Sequence, residues 1–237
     1  MAGVTDALLA LADHDEAIIR ARHDVTHPAA QADLDRAAAS LASLATAAGE
    51  IESARAPLTA RAEELERDAT AARDRAVAIA RRLDESTGAG RELEAMAHER
   101  EGLVARADGF DDELLGIYDV LGPLDERLAT VRSDAAAATA SREDAARTVS
   151  EQRSAAEARL DELVAARPGL AEAIDAATLA RYDAAAKHAV GTGAARLVNG
   201  RCGGCHLAVP AAIADRLAHG PEGTIAVCDE CGRLLVR

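Results

Sequence analysis

LDRAAASLASLATAAGEIESARAPLTARAEELERDATAARDRAVAIARRL, residues 34–83, carries a seven-residue repeat without a skip. Leu34, Leu41, Ala48, Arg55, Ala62, Ala69, Ala76 and Leu83 hold one position, and Ala37, Leu44, Ile51, Leu58, Leu65, Ala72 and Ile79 hold the other. Apolar residues alternating at spacings of three and four put one stripe on an α-helix and define a coiled-coil seam. At ~1.5 Å per residue the stretch predicts a helix on the order of 75 Å long, which needs a partner helix along that length.

The partner follows in the sequence. After Ser86-Thr87-Gly88-Ala89-Gly90, a run of turn-forming residues, a second seam opens. Leu93, Arg100, Ala107, Leu114, Leu121, Leu128, Ala135, Arg142, Val149 and Ala156 alternate with Met96, Leu103, Phe110, Ile117, Leu124, Val131, Ala138 and Ala145. Two matched seams joined by a short turn at 86–90 predict an antiparallel helical hairpin over residues 1–168. Proline lacks the helical N–H and crowds the preceding turn, so three prolines modify the expectation. Pro28, following His27, separates a shorter amphipathic helix bearing Leu8, Leu11, Ile18 and Val25. Pro57 and Pro123 predict kinks or local breaks and a bent rod, at different heights, with Pro57 facing roughly residue 119. Arg55, Arg100 and Arg142 in the seams read as register-setting residues whose heads snorkel to water.

Composition agrees with a mainly α chain. Of 237 residues, aromatics make up 1 %, with no Trp, one Phe and two Tyr, and much of the hydrophobic 49 % is alanine. A compact sphere would lack large core fillers, whereas an alanine-rich seam does not need them. The net charge of −14 repels polyanions over most of the surface. The sequence shows no membrane-spanning apolar run and no signal-peptide pattern at its start, which points to the cytoplasm and to no membrane partner.

The four cysteines form two Cys-x-x-Cys pairs, Cys202-Gly203-Gly204-Cys205 and Cys228-Asp229-Glu230-Cys231. Each pair aims two thiolates at one ion, and together they predict a tetrahedral S₄ shell for one structural Zn²⁺. Glycine at Gly204 and Gly232 frees backbone N–H groups for the sulfurs. Short strands at 195–198, 224–227 and 233–236, with Asn199-Gly200 as a turn, make a ribbon over residues 191–237, and 210–217 makes a short helix or crossover. Such a small segment buries little core, so the expectation is that metal removal melts the ribbon and leaves the rod. A redox Cys-x-x-Cys calls for one exposed pair in an α/β domain, and an iron knuckle for surrounding aromatics. Four thiolates leave His206 and His219 as surface residues, and His23 with His27 lie on a solvated helical face. Pro168-Gly169 predicts the exit from the second arm. A linker helix over 169–190 follows, ending at Gly191-Thr192-Gly193, read as a hinge.

Nucleic acid is the rival partner. Arg196, Arg201, Arg216, Arg233 and Arg237 lie in the ribbon segment and are candidate contacts for RNA, DNA or a protein partner. They face Asp215, Glu222, Asp229 and Glu230; with the two negative charges of a zinc tetrathiolate, the segment carries a net charge of about −1. It has no aromatic residue for base stacking.

Three segments resemble a known family. Gly90-Arg91-Glu92-Leu93-Glu94-Ala95-Met96-Ala97-His98-Glu99, Arg181-Tyr182-Asp183, and the two cysteine knuckles with Gly232-Arg233-Leu234-Leu235 are similar to the bacterial coiled-coil hairpin proteins with a C-terminal C4-type zinc ribbon. The resemblance covers essentially the whole chain. It implies an adaptor or chaperone-like role, since members associated with flagellar or type III secretion systems bind the nitrogen-type sigma factor and export components, and one is implicated in binding messenger RNA. Where the family has lysine in its hairpin motif this chain has Arg91, and its one lysine is Lys187, a bias typical of GC-rich genomes. The combined expectation is a non-enzymatic adaptor that meets protein partners through the coiled coil, with nucleic-acid regulation through the ribbon as the alternative.

Overall fold

The computed structural model describes residues 3–86 and 90–237. The chain is mainly helical: α1 (Val4–Thr26), α2 (Gln31–Glu85), α3 (Gly90–Ala171) and α4 (Ala176–His188) precede a small ribbon. The ribbon consists of β1 (Ala194–Val198), β2 (Arg201–Cys202), α5 (Ala211–His219), β3 (Ala226–Val227) and β4 (Leu234–Val236). Thr87, Gly88 and Ala89, at the expected hairpin turn, lie outside the described residues.

Contacts divide the chain into two units, residues 35–144 and residues 1–34 with 145–237. In the first, the heptads read from sequence are the seam. Ala62, Leu65, Ala69, Ala72, Ala76 and Ile79 of α2 are buried, as are Ala107, Leu114, Leu121 and Leu128 of α3. Leu65 and Leu114 meet with Phe110 and Ile117 beside them. The flanks are antiparallel pairs: Glu52 with Arg132, Glu66 with Tyr118 and Arg73 with Asp111. Of the three seam arginines, only Arg55 is drawn inward, its Nε 2.5 Å from Asp125 Oδ1. Arg100 and Arg142 stand exposed.

Of the kinks or breaks expected at Pro57 and Pro123, the breaks do not occur: α2 runs through the first and α3 through the second. Both rings lie on the exposed side, so water solvates the carbonyls of Ser53 and Asp119 that lose their donors. The two prolines also stand within about one helical turn of the same height, because the Arg55–Asp125 and Glu52–Arg132 pairs bring these stretches of α2 and α3 together. α3 passes Pro168 as well and ends at Ala171.

In the second unit, Pro28 does end the first helix, and the His27 N–H closes α1 on the His23 carbonyl. Leu8, Leu9, Leu11 and Ala12 of α1 share one core with Ile174, Tyr182, Ala194, Leu234 and Val236. The ribbon therefore sits on α1 and α4 instead of hanging from a hinge. Polar ties hold the same layer. The Tyr182 hydroxyl donates to Asp15 Oδ2 at 2.9 Å, Arg167 donates to both Asp15 oxygens at 2.7 and 3.0 Å, and it also reaches Asp183 at 3.0 Å. Burial first, then the Asp15 carboxylate, pushes the Tyr182 phenol far above its usual range, so it remains a donor. Asp175 caps α4 by accepting from the Ala177 and Thr178 N–H groups, which hold its carboxyl below the usual value.

Gly193 is a packing residue. A Cβ there would lie 2.2 Å from the Tyr182 carbonyl and 2.7 Å from its ring, and its own carbonyl accepts from the Leu234 N–H at 2.9 Å. Gly193→Ala therefore destabilises the chain by about 2–3 kcal/mol through overpacking. Gly109→Ala, on open helical surface, instead stabilises it by roughly 0.5–1 kcal/mol. Urea denaturation of the two variants beside the parent chain measures both.

Candidate metal centre

A four-stranded sheet in the order β2-β1-β4-β3 presents the cysteines. β1 and β2 pair antiparallel across Asn199-Gly200, both left-handed at φ 51° and 75°, as a two-residue hairpin requires. β1 runs parallel to β4, and β3 pairs antiparallel with β4 across the second knuckle. β2 ends on Cys202 and β3 leads into Cys228, so both knuckles leave the sheet on one site. Beneath it Ala195, Cys202, Val209, Leu217, Ala226, Cys228 and Leu235 form a second core.

The four sulfurs lie within 4.8 Å of one another. Cys202 and Cys231 are 3.9 Å apart, Cys205 and Cys228 3.8 Å. A tetrahedron with Zn–S bonds of ~2.3 Å has S···S edges of ~3.8 Å, so the donor set fits one Zn²⁺ with four thiolate ligands. Neither His206 nor His219 joins this cluster among the described residues; both are exposed.

The knuckle backbone is committed to the site. The Gly204 N–H donates to Cys202 Sγ at 3.4 Å, and the His206 N–H to the Cys202 carbonyl at 2.8 Å. Gly232 departs from the sequence expectation, because its N–H goes to the Cys228 carbonyl at 2.8 Å, not to a sulfur. Its φ of 73° lets the chain reverse there into β4. Before metal enters, burial raises the Cys202 thiol and pushes Cys228 up to about 12. Burial opposes ionisation of Cys231 too, but the Arg233 N–H and guanidinium, with hydrogen bonds from Cys228 and Cys205, outweigh it and bring this thiol to about 7.

Arg233 is the residue whose role sequence reasoning missed. Read from sequence only as a candidate partner contact, it braces the site: its Nε donates to the Thr192 carbonyl at 3.0 Å, and its stem lies where a Cβ on Gly204 would come within 2.5 Å. The signal was the pairing of a glycine in one knuckle with an arginine just after the other. Arg201 and Arg237 are also engaged, with the carbonyls of His206 and Ala218. Arg196 is exposed and shares with Arg233 a cleft bounded by Leu9, Asp13, Glu16 and Val190. Arg216 is exposed on α5.

Purified chain should bind one zinc per molecule, with cobalt substitution giving the thiolate-to-metal and d–d absorption of a tetrahedral S₄ site. Zinc uptake at pH 7 should release protons, since the raised thiols must ionise to bind. Affinity should therefore fall as pH drops, and Cys228→Ser should abolish stoichiometric binding. A competition titration with a chromophoric chelator across pH reads these outcomes.

The family model described as a CT398-like coiled coil hairpin domain matches residues 11–189, and that of a C4-type zinc ribbon domain matches residues 201–235. No curated protein matches the sequence significantly. Similar solved structures include a protein from Mycobacterium smegmatis, 21 % identical, with a TM-score of 0.68 over 99 % of this chain and 97 % of that one. The HP0958 protein from Helicobacter pylori is 16 % identical, with a TM-score of 0.53 over 100 % and 98 %. CT398 from Chlamydia trachomatis is 20 % identical, with a TM-score of 0.48 over 98 % and 97 %. At these identities the first two share the fold, and the hairpin match extends well past half of the chain. The chain belongs to the CT398-like coiled-coil hairpin family and carries a C4-type zinc ribbon.

Proposed function

We propose that this protein is a non-enzymatic adaptor whose coiled coil takes protein partners, with the zinc serving structure. The observation that carries the reading is the surface of the unit formed by residues 35–144. Val77, Val104, Leu115, Tyr118 and Val120 are all exposed there, Leu115 at 64 %, on a chain with a net charge of −14. Exposed apolar side chains along helices are suited to helix-to-helix recognition, and an acidic field discourages polyanions. Four thiolates fill a zinc shell and leave no position for substrate. Three of the five ribbon arginines are tied to backbone carbonyls, which supports a structural use of those cations over phosphate contact. No helix among the described residues is long and apolar enough to cross a membrane.

Isolation of the tagged chain from its native host, with and without nuclease, tests the reading. Protein partners should be retained after nuclease treatment. Recovery of RNA or DNA alone, bound with a steep salt slope that Arg196→Ala and Arg216→Ala flatten, would replace it with nucleic-acid regulation.

A further inference from the structure

Four of the five exposed apolar residues of the hairpin unit share one flank, and the fifth, Val120 at the g position, lies on the other. In the heptad set by Ala107, Leu114 and Leu121, Val104 and Tyr118 take the e position and Leu115 takes b. In α2, where Ala76 holds a, Val77 takes b. Antiparallel coiled coils bring e to e, as Arg73 with Asp111 and Glu66 with Tyr118 show here, so all four side chains lie on one flank. From Val104 to Tyr118 the strip runs ~21 Å at 1.5 Å per residue. The Tyr118 hydroxyl is fixed on Glu66 Oε1 at 2.6 Å while the residue stays 48 % exposed. An apolar tyrosine ring is thus held in place facing water.

On the α3 side of this strip the charge is one-sided, whereas the e, b and f positions of α2 on the same flank balance Glu63, Glu66 and Asp74 with Arg67, Arg73 and Arg81. Residues 101–126 of α3 hold eight carboxylates against one arginine, Arg106, a local excess of seven negative charges. Seven of the eight lie at e, b or f, bordering the strip: Glu101, Asp108, Asp111, Asp112, Asp119, Asp125 and Glu126. Asp111 and Asp125 are paired across the seam with Arg73 and Arg55; the other five make no side-chain hydrogen bond or ion pair among the described residues. Unpaired carboxylates around exposed leucine, valine and tyrosine favour a partner that brings both apolar and cationic groups.

We propose that this flank is a docking surface for an amphipathic helix of a partner protein, about 14 residues or longer, with an apolar stripe flanked by Lys or Arg. Its apolar stripe covers Val104, Leu115 and Tyr118, and its cations meet Asp108, Asp112 and Asp119. A second copy of this chain would set like charges face to face, and nucleic acid would meet a repelling field. The proposal rests on the adaptor reading and adds the place and the chemistry.

Fluorescence anisotropy with the full-length, zinc-loaded chain tests it. The probe is a labelled 18-residue amphipathic helix of leucine and lysine, with a scrambled peptide of the same composition as control. The parent chain should bind the helix at least about ten-fold more tightly than the scrambled peptide, and Leu115→Ser with Tyr118→Ser should lose at least that factor. Asp108→Asn, Asp112→Asn and Asp119→Asn together should weaken binding and flatten its salt dependence, an independent readout should the serine variant fold poorly. Val198→Ser with Leu207→Ser, on the ribbon, should change nothing. No binding by the parent, equal binding by the flank variants, or equal binding of the scrambled peptide would overturn the proposal. So would a dimer in sedimentation that the serine variant dissociates, since the occupant would then be a second copy. If host proteins co-purify equally with the serine variant, this flank is excluded while the adaptor reading stands.

Discussion

The architecture of the ribbon depends on a layer of apolar contact that the ribbon does not own. Leu8, Leu11 and Tyr182 are fully buried, and together with Ile174 they form the base on which Ala194, Leu234 and Val236 rest. Side chains of this size contribute about 1.5–3 kcal/mol each on burial, a sum that a segment of fewer than fifty residues with no aromatic residue cannot reach alone. The sheet thus has two supports. β1 and β4 lie on helices, while the knuckles and Leu217 gather around the sulfurs on the other side.

Two supports change what the metal has to do. The requirement is local: thiols whose burial disfavours ionisation are held within 4.8 Å, an arrangement that a divalent cation stabilises and that four thiolate charges alone do not. The close approach of Arg233 to Gly204 and Thr192 joins this metal side to the segment leading in from α4. The hinge expected at residues 191–193 is therefore occupied by packing and hydrogen bonds.

The helical seams and the ligand set were legible because both are local periodicities: spacings of three and four for the seam, Cys-x-x-Cys for the site. Ala62, Leu65, Leu114 and Leu121 are buried where the heptad puts them, and Asn199-Gly200 turns where its dipeptide predicts. What sequence reasoning misjudged was decided by environment. Pro57 and Pro123 are tolerated because their freed carbonyls face water, a fact of orientation and not of residue type. Gly193 looked like a flexible joint because glycine serves both mobility and close approach, and only the neighbouring Tyr182 separates the two. Arg233 resembled a surface cation until its neighbours across forty residues of chain were known. The one-sided charge of residues 101–126 was readable throughout, but its meaning depended on knowing which flank Leu115 and Tyr118 occupy.

The division of labour between core and metal is most directly tested by amide hydrogen exchange on the full chain before and after zinc removal. On this account the Gly204, His206 and Gly232 amides lose protection when the metal leaves. The Leu234 amide, bonded to Gly193 over the Leu8–Leu11–Tyr182 layer, remains protected. Simultaneous loss at all four, or no change at the knuckles, would contradict it.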